Sequence, residues 1–149
     1  MHAMTDFAYS ISLEGAPSVE DERVIDEGLR AYGEQFATQE SEQPISVMLR
    51  EADGRLAGGL LGETGWGWLY VGTLWIEEAA RGRGYGSALL RLAEKEAIQR
   101  GCHSSHLTTM SYEALPFYLH HGYEVFGELP NLPPGHTRYF LKKRLLESA

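Results

Sequence analysis

Apolar residues in the first part of the chain recur with a strand period and then with a helix period. Residues 7–13 alternate apolar and small polar side chains, which predicts a first strand. Ser18, with Asp21 three residues later, is typical of a helix start. Beyond it, apolar residues recur at helical spacing and are expected to face the core: Val24, Ile25, Leu29, Tyr32 and Phe36.

Three further strands follow, and short turns join them. Residues 45–49 predict the second strand, Asp53-Gly54 is typical of a hairpin turn, and residues 55–62 predict the returning strand. A turn at 63–65 then leads into residues 66–76, which are long, aromatic and β-branched, as a central buried strand would be. Because the turns are short, these three strands are predicted to be antiparallel.

The second half of the chain reads as helix, strand, helix and two more strands. Residues 87–100 are amphipathic, with Leu89, Leu92, Ala93 and Ala97 on one face, and Gly101 ends the helix. The fifth strand, 106–110, is predicted to run parallel to the fourth because a helix connects them. A short helix at 112–121 and strands at 123–126 and 137–141 complete a mixed α/β fold of about seven strands and three or four helices.

Composition and net charge exclude several classes of protein but do not by themselves indicate a function. The 149 residues carry a net charge of −8 and are predicted to form one domain, residues 1–149. An acidic chain lacks the basic face that nucleic acid needs, and no apolar run approaches the roughly 18 residues of a membrane span. The start of the chain does not resemble a signal peptide, and the single cysteine, Cys102, fits a reducing cytoplasm.

Glycine is enriched, and the richest segment lies between the fourth strand and the amphipathic helix. It reads Arg81, Gly82, Arg83, Gly84, Tyr85, Gly86, Ser87. Glycines allow close backbone approach, and a helix start offers free amides to an anion, so the segment predicts a phosphate or pyrophosphate site. A P-loop would need Lys after the last glycine, and a dinucleotide fingerprint would need glycine at position 87. The plain alternative is a glycine-rich turn that binds nothing.

Two motifs resemble those of the GCN5-related N-acetyltransferase (GNAT) superfamily. Arg81-x-x-Gly84-x-Gly86, preceded by Leu74-x-Ile76, resembles its acetyl-CoA signature. The segment from Ala114 to Tyr123 is similar to its later A-x-x-F-Y-x-x-x-G-Y motif. The predicted order of strands and helices matches that fold along nearly the whole chain.

The resemblance implies an enzyme that moves acetyl from acetyl-CoA, as cosubstrate, to a primary amine of a small molecule or peptide by direct attack in a ternary complex. The fourth and fifth strands would be splayed, with pantetheine along the fourth and pyrophosphate on the glycine-rich turn. Tyr118 stands at the position of the general acid, and a homodimer is compatible with the family. The implied acetyl-CoA residues are Leu74, Trp75, Ile76, Arg81, Gly82, Arg83, Gly84, Tyr85, Gly86 and Ser87.

Several alternatives stay open at this point. For Tyr118 the alternative to the catalytic role is that it only packs its helix against the strands. Tyr70 stands where histone-modifying members carry a Glu, which leaves the base unassigned. A GNAT-like domain that binds CoA for regulation, without turnover, is the second hypothesis, and a nucleotide-binding protein is the third. Cys102-His103-x-x-His106 looks metal-like, but strand alternation would point the two imidazoles to opposite faces, so no metal is predicted.

Overall fold

The computed structural model describes residues 4–5, 8–38 and 40–146. Two compact units can be distinguished, Met1–Gln39 and Glu40–Ala149, and each is described by itself. The single domain expected from the sequence therefore stays a prediction. Within the described ranges, no helix is both long and apolar enough to cross a membrane.

The first unit contains a small hairpin and one helix. Strands β1 (Met4–Thr5) and β2 (Ser10–Ile11) pair antiparallel, so the longer strand predicted at 7–13 is wrong, and its first residue lies outside the described residues. Helix α1 (Val19–Gly33) begins where expected, because the Ser18 hydroxyl accepts a hydrogen bond from the amide of Asp21 at 3.1 Å. No residue of α1 is buried, so the prediction that its apolar stripe faces the core is not confirmed.

The second unit is built on a six-stranded mixed sheet, in the order β3-β4-β5-β6-β8-β7. Its strands are β3 (Gln43–Arg50), β4 (Leu56–Gly65), β5 (Trp68–Ile76), β6 (Ser104–Met110), β7 (Glu124–Pro130) and β8 (Thr137–Arg144). Only β5 and β6, the predicted fourth and fifth strands, pair in parallel. The mixed α/β fold class is confirmed, and the described residues hold eight strands because a two-residue hairpin replaces the predicted first strand.

Helix α2 (Tyr85–Gln99) connects the parallel strands β5 and β6, α3 (Leu115–His120) follows β6, and residues of both helices pack into the core. In α2 the buried apolar residues are Leu89, Leu90, Ala93 and Ala97. Leu92, predicted to belong to that face, is 55% exposed, and Leu90 takes its place with no exposure. Gly101, with φ of +91°, follows the end of α2 as expected, because its left-handed conformation suits glycine.

A buried polar cluster ties α2 to the sheet. Glu94 of α2 accepts a hydrogen bond from the hydroxyl of Tyr123 at 2.8 Å and from the ammonium of Lys143 at 2.9 Å. The oxygens of Tyr123 and Ser105 lie 2.9 Å apart in a second hydrogen bond. Since a buried carboxylate is costly unless it is paired and hydrogen-bonded, these partners explain how α2 carries an acid on its inner face.

Candidate active site

An extra residue in β5 marks the edge of the candidate site. Leu61 of β4 pairs with Thr73, whereas the next residue, Gly62, pairs with Val71, so Gly72 is left unpaired as a β-bulge. A Cβ at Gly62 would overlap the carbonyl oxygen of Tyr70, which explains why glycine stands opposite the bulge. Before the bulge the residues of β5 that face the core are Leu69 and Val71, and after it they are Leu74 and Ile76.

The parallel pair separates at the same level. Pairing between β5 and β6 ends at Val71 with Leu107, although the two strands continue to Ile76 and Met110. Among the described residues no strand pairing joins 72–76 to β6, so the backbone of this stretch faces a gap. The splay predicted for these strands is therefore present in the geometry.

A cavity of about 850 Å³ occupies the gap and extends to the glycine-rich turn. Nine of the ten residues predicted for acetyl-CoA line it, together with Tyr118, and only Arg83 does not. Five further lining residues come from the end of β6 and the turn before α3, where sequence reasoning had assigned no role: Thr108, Thr109, Tyr112, Glu113 and Ala114.

The glycine-rich turn presents free backbone amides to this cavity. Gly82 and Gly84 have φ of +75° and +83°, and no atom lies within 4 Å of a Cβ built on either residue. Gly84 is the N-cap of α2 without a side-chain cap, and the first helical hydrogen bond is from the amide of Ala88 to Gly84. Within the described residues the amides of 85–87 have no partner, so the turn suits an anionic group.

Arg81 fixes the turn to the end of β5. Its Nε donates to the carbonyl oxygen of Ile76 at 2.8 Å. The side chain of Arg81 therefore holds the strand end and the turn together, and it leaves the rest of the guanidinium at the cavity wall. The strand backbone and the free amides thus form one continuous surface.

Tyr118 lies on α3 and lines the same cavity. Its ring is buried, and its hydroxyl has no hydrogen-bond partner among the described residues. Burial, together with the negative charge of Glu113, raises the pKa of Tyr118 to about 12. Near neutral pH the phenol therefore keeps its proton and can donate it, but it cannot act as a base.

The turn before α3 supplies the one carboxylate among the lining residues that the structure describes, Glu113. Glu113 accepts a hydrogen bond from the amide of Met110 at 3.0 Å and is exposed. The helix predicted over 112–121 begins only at Leu115, which leaves residues 111–114 as a turn. In the sequence Pro116 marks this start, because proline is favoured in the first turn of a helix and disfavoured further inside it.

Other titratable residues of β5, of the segment after it and of the end of α3 do not line the cavity. Tyr70 packs against His106, with ring centres 5.0 Å apart, and does not line the cavity. Glu77 is bound by the guanidinium of Arg55 at 2.9 Å. His120 and His121 follow Tyr118 at the end of α3 and are also absent from the cavity lining.

The expected opposite orientation of His103 and His106 is wrong. His103 lies outside β6, and both imidazoles contact the ring of Trp68, at centre distances of 5.7 and 5.5 Å. Burial lowers the pKa of His106, which favours its neutral form. Within residues 4–5, 8–38 and 40–146 no group of three or more His, Cys, Asp or Glu side chains is arranged to hold a metal ion.

Comparisons with protein families, with known sequences and with solved structures all match acetyltransferases. The family described as Acetyltransferase (GNAT) family matches residues 8–123. An acetyltransferase of Agrobacterium fabrum is 36% identical over 132 residues, which are 89% of this chain and 96% of that protein. The blasticidin-S acetyltransferase of Streptomyces morookaense is 43% identical over 93 residues, 62% of this chain and 68% of that protein. The crystal structure of an acetyltransferase from Bacillus cereus superposes with a TM-score of 0.80 at 31% identity, covering 89% of this chain and 96% of that one.

Proposed function

Since the chain belongs to the GNAT acetyltransferase family and is an acetyltransferase that uses acetyl-CoA, we propose that it acetylates a primary amine of a small molecule or peptide. The observation that carries the proposal is a cavity that joins the parted strands, the free amides of the turn and the hydroxyl of Tyr118. A regulatory CoA-binding domain would not need a protonated phenol at the same cavity, so the geometry favours turnover.

The residues of the cavity fit the parts of acetyl-CoA. The backbone of Leu74, Trp75 and Ile76, unpaired toward β6, is suited to bind an extended amide chain such as pantetheine in the manner of an added strand. The free amides after Gly84 are suited to the pyrophosphate, and the open space at Gly82 and Gly84 admits its oxygens. Acetyl-CoA itself supplies an activated acetyl thioester.

Tyr118 is assigned to the leaving thiolate. With its pKa raised to about 12, its hydroxyl stays protonated and donates to the sulfur as CoA departs. Because no described residue accepts a hydrogen bond from this hydroxyl, it is free for that role. We expect direct attack of the amine on the thioester carbonyl, with no covalent enzyme intermediate.

Glu113 is assigned to the amine proton. An alkylammonium has a pKa of about 10.4, so the acceptor arrives mostly charged at neutral pH, and a carboxylate attracts it. Only the neutral amine has the lone pair that attacks, so one proton leaves the ammonium first, through Glu113 or water to the solvent. Once the nitrogen has bonded to the carbonyl carbon, a second proton becomes far more acidic, and the carboxylate of Glu113, directly or through water, can take it. Glu113 is the one lining residue in the described chain with a carboxylate for this purpose.

A small-molecule amine is the first class of acceptor to test. One relative, 43% identical over 93 residues, is named for the acetylation of blasticidin S, and that similarity supports a small acceptor here. The experiment is a panel of small amines and peptides with acetyl-CoA, in which release of the CoA thiol is followed. We expect acetylation of at least one amine. Binding of CoA without any turnover across the panel would favour the regulatory alternative.

A further inference from the structure

A hydrogen bond links the glycine-rich turn to the helix that carries Tyr118. The Oγ of Ser87, in the first turn of α2, lies 2.8 Å from the Nε2 of His121, directly after α3. The His121 ring packs against Phe117, with ring centres 4.7 Å apart, and Phe117 in turn lies 3.6 Å from a Cβ built on Gly86. Ser87 lines the cavity, whereas His121 stands behind it.

A serine hydroxyl has one proton, and the direction of that proton decides whether Ser87 can bind an anion. If Nε2 of His121 accepts the proton of Ser87, the cavity meets only oxygen lone pairs. If Nε2 carries a hydrogen and donates it to Oγ, the Ser87 proton is free to point at a phosphate oxygen. A hydrogen bond from a hydroxyl to a charged oxygen is also among the stronger ones.

We propose that His121 is a positioning residue for the phosphate groups of acetyl-CoA, acting by donating from Nε2 to Ser87 so that the Ser87 hydroxyl donates to the pyrophosphate. This rests on the proposed function, because it concerns the same acetyl-CoA site. Bound pyrophosphate therefore selects the form of His121 with a hydrogen on Nε2. Protonated His121 always has that hydrogen, so the affinity for the pyrophosphate increases when His121 is charged.

The surroundings of His121 set the direction of the pH effect. Burial lowers the pKa of His121, and the positive charges of His120, Arg91 and Lys143 lower it further, while the carboxylate of Glu94 raises it. These groups come from α3, α2 and β8, and free His121 is therefore neutral at pH 7. Binding of the pyrophosphate raises the pKa of His121, so CoA affinity should increase as the pH falls from neutral into the range where His121 becomes charged.

The test is a double-mutant cycle on CoA affinity. His121→Phe keeps the ring that packs on Phe117 and removes the nitrogen, and Ser87→Ala removes the hydroxyl. We expect either single variant to weaken CoA binding about threefold to tenfold, and the double variant to be no weaker than Ser87→Ala, because His121 acts through Ser87. His120→Phe, one residue away and without the bond to Ser87, is the matched control and should leave the affinity within twofold.

Two further arms separate this inference from simpler explanations. The 3′-phosphate of CoA titrates near a pKa of about 6 and could itself cause a pH effect, so dephospho-CoA, which lacks it, is the second ligand. Its affinity should decrease by the same factors in the variants and increase by the same factor at low pH. If the losses appear only with CoA, the 3′-phosphate is the partner and the assignment is wrong. Additive losses in the double variant, or unchanged affinity in His121→Phe, would also overturn it.

A measurement on the unmutated protein keeps the inference testable if His121→Phe does not fold. The pKa of His121, followed by NMR on labelled histidine, should increase when dephospho-CoA is added to saturation. An unchanged pKa in the complex contradicts the proposal. If the unmutated protein binds neither CoA nor dephospho-CoA, the proposed function itself fails, which is a distinct result.

Discussion

At the scale of single residues, the phenol of Tyr118 is the group on which the chemistry depends most. Tyr118→Phe keeps the buried aromatic ring of α3 and removes one hydrogen-bond donor from the cavity. We expect kcat to fall roughly 100-fold, or about 2.7 kcal/mol of barrier, with the Kd of acetyl-CoA nearly unchanged. Steady-state kinetics and calorimetric titration on the same preparation check both halves.

A purely structural Tyr118 would behave differently. Normal kcat in Tyr118→Phe, with or without a lower melting temperature, would remove the residue from the mechanism. The pH profile gives a second check, because a pKa of about 12 keeps the hydroxyl protonated throughout the practical range. We therefore expect the pH dependence of kcat between about pH 8 and about pH 10 to have the same shape in the unmutated protein and in Tyr118→Phe.

Glu113 carries a prediction of its own. Glu113→Gln keeps the size of the side chain and an acceptor for the amide of Met110, but it removes the negative charge from the cavity wall. We expect kcat/KM for a cationic amine to fall about tenfold to 100-fold, with little change in the Kd of CoA. Glu128→Gln, an exposed change on β7 away from the cavity, is the control. Equal activity of the two variants would show that another group or water alone takes the proton.

At the scale of secondary-structure elements, the start of α2 gives the sharpest test of the CoA site. Gly84→Val places a branched side chain at φ of +83° and fills space at the amides of the turn. We expect CoA affinity to fall at least tenfold, which is about 1.4 kcal/mol. Gly101→Val is the matched control, since it imposes the same strain, at φ of +91°, after the other end of α2. Both variants should melt at lower temperature, but only Gly84→Val should lose CoA binding.

The contact between α2 and the sheet depends on polar groups as well as on apolar packing. Tyr123→Phe removes the hydroxyl that donates to the buried carboxylate of Glu94, while Lys143 remains bound to it. We expect the free energy of unfolding to decrease by about 1–3 kcal/mol, because the carboxylate loses a partner that water cannot replace. Urea denaturation measures the change. A variant as stable as the unmutated protein would mean that Lys143 alone satisfies Glu94.

Much of the element order could be predicted from local pattern, and the failures have identifiable causes. The Ser18 cap, the hairpin at Gly54 and the parallel pair β5–β6 follow from side chains a few residues apart and from the connecting helix. Glu94 was not predicted to be buried, because its partners lie 29 and 49 residues further along the chain. Local periodicity carries no information about such distant partners.

The candidate site was predictable to the extent that its motifs are continuous in sequence. The glycine-rich turn and Tyr118 each belong to such a motif, and both line one cavity. Glu113 was missed because the helix was predicted to begin at 112, although Pro116 in its first turn indicates the start at Leu115. The contact between Ser87 and His121 joins two motifs 34 residues apart, and neither motif by itself indicates it.

At the scale of the whole molecule, net charge determines the partners that the protein avoids. With 21 acidic and 13 basic residues, the chain has few cations to replace the counterions of a nucleic acid. We expect no complex with duplex DNA tighter than about 1 μM at physiological salt. Fluorescence anisotropy with a labelled duplex, at two salt concentrations, measures this. A sub-micromolar complex would contradict the prediction.

The bulge at Gly72 lies at the level where β5 separates from β6, so the extra residue matters for the gap and not for the side-chain pattern. Deleting Gly72 would place Thr73 directly after Val71, with the partners in β4 that both already have, and Leu74 and Ile76 would still face the core. Thr73 and Trp75 are exposed today and can be exchanged individually at little cost to folding. Among descendants of this gene we therefore expect point changes at 73 and 75 to accumulate freely, while loss of Gly72 is eliminated because it closes the gap beside β6 and not because it prevents folding.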